Sequence, residues 1–243
     1  MTAPLFLVDG LPAGDDGVLT GDEGRHAARV RRLRVGEALD LGDGAGGVAR
    51  CVVTAVRLDQ LAVAVLSRRF HSAPDPALIV VQALAKGDRG ELAVELMTEA
   101  GVDEIVPWAA ARSVTRWDGS RGEKSLQRWQ STAREATKQS RRAWTPRLVG
   151  VHDTRAVAAL LAEADTAVVL HQSADRSLSA VEPAGGGRIV LVVGPEGGVT
   201  EEELTAFAAA GAIAARLGPE VLRTSTAGVV AVAALSARLG RWA

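Results

Sequence analysis

The chain of 243 residues has no tyrosine and one cysteine, and each shortage removes a class of chemistry; its lysines number only three against 25 arginines. Without tyrosine, no phenolate is available as a base. A lone Cys51 excludes an intramolecular disulfide, and its position inside a strand-like apolar stretch marks it as a small core residue rather than a nucleophile. No apolar run reaches the length of a membrane span; the longest, 227–235, is short and rich in small residues. The opening Met1-Thr2-Ala3-Pro4-Leu5 lacks the basic region and long apolar stretch of a secretory signal, so the expected location is the cytoplasm. Four scattered histidines (26, 71, 152, 171), with no C-x-x-C and no H-E-x-x-H, give no metal site. The G-x-G-x-x-G spacing of a dinucleotide fold, the G-K-[ST] of a phosphate loop and any nucleophilic triad are also missing.

What is present is an ordinary globular composition, 47% hydrophobic and 23% charged, in a length suited to one large or two small domains. The net charge of −1 is unevenly spread. Five arginines (25, 29, 31, 32, 34) fall between positions 25 and 34 without an acid, and nine basic residues against three acids lie between 112 and 142. Four of the five tryptophans (108, 117, 129, 144) lie in or beside that second stretch. Two such clusters, offset by acidic surface elsewhere, are the footprint of a polyanion binder. Each alone would equally suit a solvated helix face.

Two patterns divide the chain. Residues 1–70 read as a small β-rich module, with strands over 37–41 and 48–56 flanking the hairpin signal Gly42-Asp43-Gly44-Ala45-Gly46-Gly47 and a third strand over 61–66. Before them, 23–33 is a short helix or loop. The segment 71–76, with prolines at 74 and 76, is a linker. From 77 to 243 strands and helices alternate, which predicts an α/β domain with a parallel sheet covered on both faces. Strands are expected over 77–84, 104–108, 167–170, 189–193 and 212–217. A first helix is expected to start at Asp88 with a capping box to Glu91, to carry Leu92, Leu96 and Ala100 as its apolar stripe, and to stop at Gly101. A long helix follows over 123–143, with Leu126, Trp129, Ala133, Ala136 and Ser140 on one face, and a shorter one over 154–163. A second capping box pairs Thr200 with Glu203 ahead of a stop at Gly211. The last helix, 226–239, is nearly all apolar and therefore buried in the fold or against a second subunit.

The most informative segment is Gly194-Pro195-Glu196-Gly197-Gly198, which follows the unbroken apolar strand 189–193. Such a turn exposes bare backbone at the carboxyl edge of a parallel sheet, where ligands of open α/β folds bind. The arrangement repeats at Leu217-Gly218-Pro219-Glu220-Val221-Leu222-Arg223-Thr224. With phosphate loops excluded, the two loops suit a ligand held by main-chain groups within an apolar wall, as an adenosine would be.

These paired motifs resemble the ribosomal RNA uracil-N3 methyltransferases of the small-subunit type, members of the knotted SPOUT superfamily. The resemblance extends over nearly the whole chain, through Lys86-x-x-Arg89, Thr98-Glu99-Ala100-Gly101, Arg112-Ser113, Gln139-Ser140-x-Arg142 and Leu170-His171. His26 with Val30-Arg31-Arg32-Leu33-Arg34, and Gly42-Asp43-Gly44, match that family's PUA-like RNA-binding module. It implies a small PUA-like β-barrel followed by a SPOUT domain with a deep trefoil knot at about 165–240, and a homodimer packed through the last helix. It implies S-adenosylmethionine as cofactor, with contacts from Leu170, His171, Gly194, Pro195, Glu196, Gly197, Gly198, Leu217, Gly218, Leu222, Thr224 and Ala227. Gly197 and Gly198 would equally serve turn geometry, and Leu222 plain packing. The implied substrate is 16S ribosomal RNA of the small subunit, contacted by Arg25, His26, Arg29, Arg32, Lys86, Arg89, Arg112 and Arg142. Neither metal nor membrane is implied.

For the chemistry, uracil N3 must lose a proton and its anion must be stabilised. Arg223 is the first candidate to hold that anion, or else a structural tie. Glu196 is a candidate base, or else a cap on the following helix. The chain departs from the family at Ser225, where Glu is frequent, and at Lys138, which stands where an acid is frequent and is expected to add to the charge facing RNA. A ribose 2′-O methyltransferase of the same superfamily and a non-catalytic RNA-binding assembly factor are the competing readings.

Overall fold

The computed structural model describes residues 3–242. The first two positions of the amino-terminal segment read above, and position 243, lie outside the described residues. The chain divides into two compact units, Met1–Ala73 with Thr137–Thr145, and Pro74–Ala136 with Pro146–Ala243. The segment 137–145 thus groups with the first unit although it lies within the stretch assigned from sequence to the second domain.

The first unit is built from β1 (Leu5–Leu7), β2 (Asp16–Leu19), α1 (Gly21–Arg25), a π-helical turn (His26–Val30), β3 (Ala38–Gly42), β4 (Gly47–Arg57) and β5 (Gln60–Phe70). Its sheet runs β1-β3-β4-β5-β2, antiparallel except for the β1–β3 pair. Side chains from all five strands, among them Phe6, Leu19, Leu41, Cys51 and Leu61, meet in one buried cluster, so the sheet wraps around its own core. The expected hairpin is present. Asp43 accepts hydrogen bonds from the N–H groups of Ala45 (2.7 Å) and Gly47 (2.9 Å), and Gly44 and Gly46 take positive φ (69° and 100°) as an Asx-supported turn requires. β5 runs four residues beyond its expected end. Ser67, Arg68, Arg69 and Phe70 pair with β4, yet all four are exposed, so no apolar alternation announces them.

The second unit contains β6 (Ala77–Ala83), α2 (Arg89–Ala100), β7 (Glu104–Trp108), most of α3 (Gly119–Ser140), β8 (Arg147–Leu148), α4 (Thr154–Ala162), β9 (Thr166–Leu170), β10 (Arg188–Val193), α5 (Glu201–Ala209), β11 (Ile213–Ala215) and α6 (Thr224–Arg238). Its six strands are all parallel, in the order β11-β9-β10-β6-β7-β8. Period-two alternation sends Leu78, Val80, Ile189 and Leu191 to the face covered by α2, α3 and α6, and Ile79, Val81, Val190 and Val192 to the face covered by α4 and α5. Both faces are covered, which is why these strands read as unbroken apolar runs.

Several local expectations are corrected. Asp88 has helical dihedrals (φ −83°, ψ −3°) and its side chain makes no cap hydrogen bond, so the capping box to Glu91 does not form. The buried face of α2 is Gly90, Ala93, Val94, Met97 and Thr98, while Leu92 is 43% exposed. Close approach decides this. A Cβ on Gly90 would meet the Trp129 ring at 2.6 Å, and one on Gly228 of α6 would meet Met97 Sδ at 2.5 Å. Small residues therefore select the packed face, and the larger leucine is left outside. The strand expected over 212–217 is only Ile213–Ala215, because Arg216 leaves the sheet: its N–H donates to Arg176 O (2.9 Å) and its carbonyl accepts from Leu178 N–H (2.8 Å). The capping box at Thr200 and Glu203 forms with both reciprocal bonds, and Gly101 ends α2 in the left-handed region (φ 101°).

Candidate active site

Three loops at the carboxyl edge of the second unit's sheet, after β9, β10 and β11, line a cavity of about 540 Å³. Its wall comprises residues 170–172, 193–199, 216–218, 220–224 and 227, with Arg89 and Arg112 at the rim. All twelve positions assigned from sequence to the cofactor lie on this wall, as do both catalytic candidates, Arg223 and Glu196.

The loop after β10 is a tight turn in which Gly198 N–H donates to Pro195 O (2.9 Å). Gly198 needs glycine because its φ is +75°, and at Gly197 a Cβ would come to 3.0 Å from Arg112 Cβ, a tight approach that Arg112 would have to yield to. A buried polar bridge fixes this loop to the others. Gln82, on β6, donates from Nε2 to Thr224 Oγ1 (2.9 Å) and to Ala83 O (3.2 Å), and Thr224 Oγ1 donates to Gly194 O (2.8 Å). The start of α6 and the end of β10 are thereby held together at the floor of the cavity. The loop after β9 is clamped by Arg216, whose Nη1 donates to the carbonyls of Ala174 and Asp175, both at 2.6 Å. Glu203 caps α5 and also accepts from Ala111 N–H (2.8 Å) and Thr154 Oγ1 (3.1 Å), fixing the loop that carries Arg112.

Sequence reasoning missed Gln82 and Arg216. Gln82 had a signal: it is the one polar residue in β6, an otherwise apolar strand. Arg216 had none, because its role depends on carbonyls forty residues distant in sequence.

The loop after β11 differs from the other two. The backbone N–H and C=O groups of residues 217–222 make no hydrogen bond with the described protein. Unpaired main-chain donors and acceptors beside Leu170, Val193, Leu217 and Ala227 form a wall matched to a flat, hydrogen-bonding, partly apolar ligand.

The charged candidates differ in their partners. Glu196 accepts from Lys86 N–H (3.1 Å) and from Arg89 Nη1 (3.0 Å). Partial burial alone would raise its carboxyl pKa, but hydrogen bonds from its own and Lys86's backbone, and then the Arg89 guanidinium, outweigh that and lower it below the ordinary 4.5. Arg112 donates to Gly197 O (3.1 Å). Arg223 is exposed on the cavity wall, and its guanidinium makes no hydrogen bond or ion pair with the described residues.

The remaining RNA candidates belong to the first unit and are not among the residues that line this cavity. Arg25 pairs with Asp22 (3.2 Å) and Arg29 with Asp59, so acids beyond the arginine run offset part of its charge. His26 packs edge-on against Phe6, their ring centroids 6.0 Å apart. Arg32 is exposed with φ 54°, and Arg142 belongs to the segment that groups with the first unit. Lys138 does not add to an exposed charged face: it is buried, and its Nζ bonds Glu23 Oε1 at 2.8 Å. A buried ammonium must be paired, and Glu23 supplies the partner within the same unit. Among the described residues, no group of three or more acidic, histidine or cysteine side chains is placed to hold a metal ion. Among the same residues, no helix is long and apolar enough to cross a membrane.

The sequence profile of an RNA methyltransferase domain matches residues 72–236, and that of an RNA methyltransferase PUA domain matches residues 19–66. The chain is 48% identical over 247 aligned positions to a ribosomal RNA small subunit methyltransferase E from Mycobacterium bovis, covering 100% of this chain and 94% of the relative. It is 30% identical to a protein of the same name from Bacillus subtilis, covering 90% and 88%. Among solved structures, the fold matches a ribosomal RNA small subunit methyltransferase E from Neisseria gonorrhoeae bound to S-adenosylmethionine, with a TM-score of 0.86, 28% identity and 98% of each chain covered.

Proposed function

Because this chain belongs to the ribosomal RNA small subunit methyltransferase E family, we propose that it transfers a methyl group from S-adenosylmethionine to N3 of a uracil in 16S ribosomal RNA. One observation carries the reading: the cavity at the sheet's carboxyl edge is bounded by residues 217–222, whose main-chain groups have no partner among the described residues. These residues fit the cofactor. The free backbone groups match the hydrogen-bonding edge of adenine, and Leu170, Val193 and Ala227 match its faces. Once bound, S-adenosylmethionine supplies an electrophilic methyl on a sulfonium, ready for in-line displacement.

The protein's task is then alignment and charge stabilisation. Arg223 orients the uracil and stabilises the anion left when N3 passes its proton to solvent water. Glu196 is poorly suited to take that proton, since the interactions that lower its pKa make it a weaker base than an ordinary carboxylate. Its role is to hold Arg89 at the cavity rim, where the guanidinium meets an RNA phosphate alongside Arg112 and Lys86. Ser225, buried in the first turn of α6, does not replace a carboxylate, so the position occupied by Glu in related proteins is not the base in this chain.

The trefoil knot at about 165–240 belongs to the same reading. It is supported by the clasp of residues 174–178 on Arg216 and by the tie of Thr224 to Gly194. The homodimer is supported by α6, whose exposed Val230, Ala234 and Ala237 form an apolar stripe opposite its buried face. Sedimentation velocity tests it, and a monomer at all accessible concentrations overturns it. A ribosomal RNA substrate accords with a cytoplasmic location. For the reaction itself, purified protein is incubated with S-adenosylmethionine and small-subunit RNA, and the nucleosides are resolved by mass spectrometry. The expected product is 3-methyluridine; a ribose-methylated product instead would assign the enzyme to the 2′-O class.

A further inference from the structure

A second cavity, of about 520 Å³, lies wholly within the first unit. Its floor follows from strand periodicity. Leu39, Leu41, Ala49 and Cys51 point into the core, so Asp40, Val48 and Arg50 stand on the opposite face of β3 and β4. The register continues that face onto β5, with Asp40 opposite Arg50, Arg50 opposite Ser67 and Val48 opposite Arg69.

The segment after α3 supplies a wall, and its backbone is held from several directions. Arg141 sits in the left-handed region (φ 56°), its N–H donating to Lys138 O (3.3 Å). Gly46 N–H donates to Ala143 O (3.0 Å), and Thr145 N–H donates to Gly44 O (3.0 Å). His71 is fixed next to it: its N–H donates to Gly46 O (2.8 Å), and its carbonyl accepts from the Trp144 indole (2.9 Å). A residue other than glycine pays a conformational cost in the left-handed region, so Arg141 is held there by this framework.

The charges in the cavity do not cancel. Asp40 takes both of its contacts from Arg50 Nη1, each at 3.1 Å, and neutralises it. The guanidinium groups of Arg69 and Arg141, and the His71 ring, make no hydrogen bond or ion pair with the described residues. Val48 is the largest apolar side chain in the lining, so the site offers little to an apolar ligand. Two unpaired planar forks converging on one concavity match the geometry of a phosphodiester.

We propose that this cavity grips the ribose-phosphate backbone of the RNA substrate, through Arg69 and Arg141, as a contact separate from the arginines of α1 and the turn that follows it. The proposal rests on the reading that the substrate is RNA. The test uses the full-length protein and a small-subunit RNA fragment, with filter binding across a salt series. Loss of two single-strand phosphate contacts lowers the slope of log affinity against log salt by about 1.4. The double substitution Arg69→Gln with Arg141→Gln is expected to weaken RNA binding with a slope reduced by about that amount. Its affinity for S-adenosylmethionine, measured by calorimetry, is expected to match the unsubstituted protein and so report an intact second unit, and its near-ultraviolet circular dichroism is expected to match as well and so report an intact first unit, where Trp144 packs on Phe70. Unchanged RNA affinity and slope overturn the assignment. So does competition by poly-glutamate as strong as that by RNA of equal charge, which would assign the cavity to an acidic protein segment. Absence of RNA binding by the unsubstituted protein overturns both this assignment and the reading beneath it.

Discussion

Arg223 holds its position through its backbone and leaves its side chain available. Its carbonyl accepts from the N–H groups of Thr226 and Ala227 (both 2.9 Å), whereas its guanidinium has no partner among the described residues. Truncating the side chain therefore leaves the loop's ties in place. Arg223→Ala is expected to lower turnover by about 10²–10³-fold, the usual cost of removing a preorganised group that meets developing charge. Affinity for S-adenosylmethionine, measured by calorimetry, should stay at its original value; its collapse would make the residue scaffold. Glu196 behaves differently. Its folded pKa lies below the ordinary 4.5, so the stability it contributes is complete above that value and is lost as pH falls through the lower one. Between pH 6 and 3, Glu196→Gln should flatten the acid-side fall of Tm, and an unchanged profile would mean the contacts to Lys86 and Arg89 contribute nothing. At this scale the sequence was highly legible. The glycines at 197 and 198 and the threonine at 224 announced a loop, but not that Arg112 packs on Gly197 or that Thr224 bridges Gln82 to Gly194.

At the scale of elements, the site depends on how three loops are tied to neighbouring strands and helices. Gln82 is fully buried at the end of β6 and joins α6 to the loop after β10 through one hydroxyl. Gln82→Leu removes a buried donor and is expected to cost about 1–3 kcal/mol. In a unit of this size that lowers Tm by about 3–8 °C, with S-adenosylmethionine affinity falling alongside it. A fall in Tm with unchanged affinity would separate the bridge from the site. Strands buried on both faces were readable because parallel sheets leave them no polar side, as β6 and β10 illustrate. The packed face of α2 was not readable from periodicity. It is set by glycines that admit Trp129 and Met97, and such fits depend on partners remote in sequence. The end of β5 was hidden for the opposite reason: all of its side chains are exposed, and only cross-strand hydrogen bonds mark it.

At the scale of the molecule, the first unit carries the match to an RNA methyltransferase PUA domain and the second carries most of the match to an RNA methyltransferase domain. The sheet-edge cavity was legible in outline because strand–glycine turn–helix patterns mark ligand edges wherever they occur. The groove of the first unit was not legible. Its residues come from β3, β4, β5, His71 and the segment 141–143, and the chain connecting them gives no sign that they meet. The central claim, that this protein methylates uracil N3 in 16S RNA, is tested most directly by nucleoside mass spectrometry of 16S RNA from cells lacking the protein. In those cells 3-methyluridine is expected to disappear, and to return with the intact gene but not with Arg223→Ala. An undiminished 3-methyluridine level in the cells that lack the protein would contradict the claim.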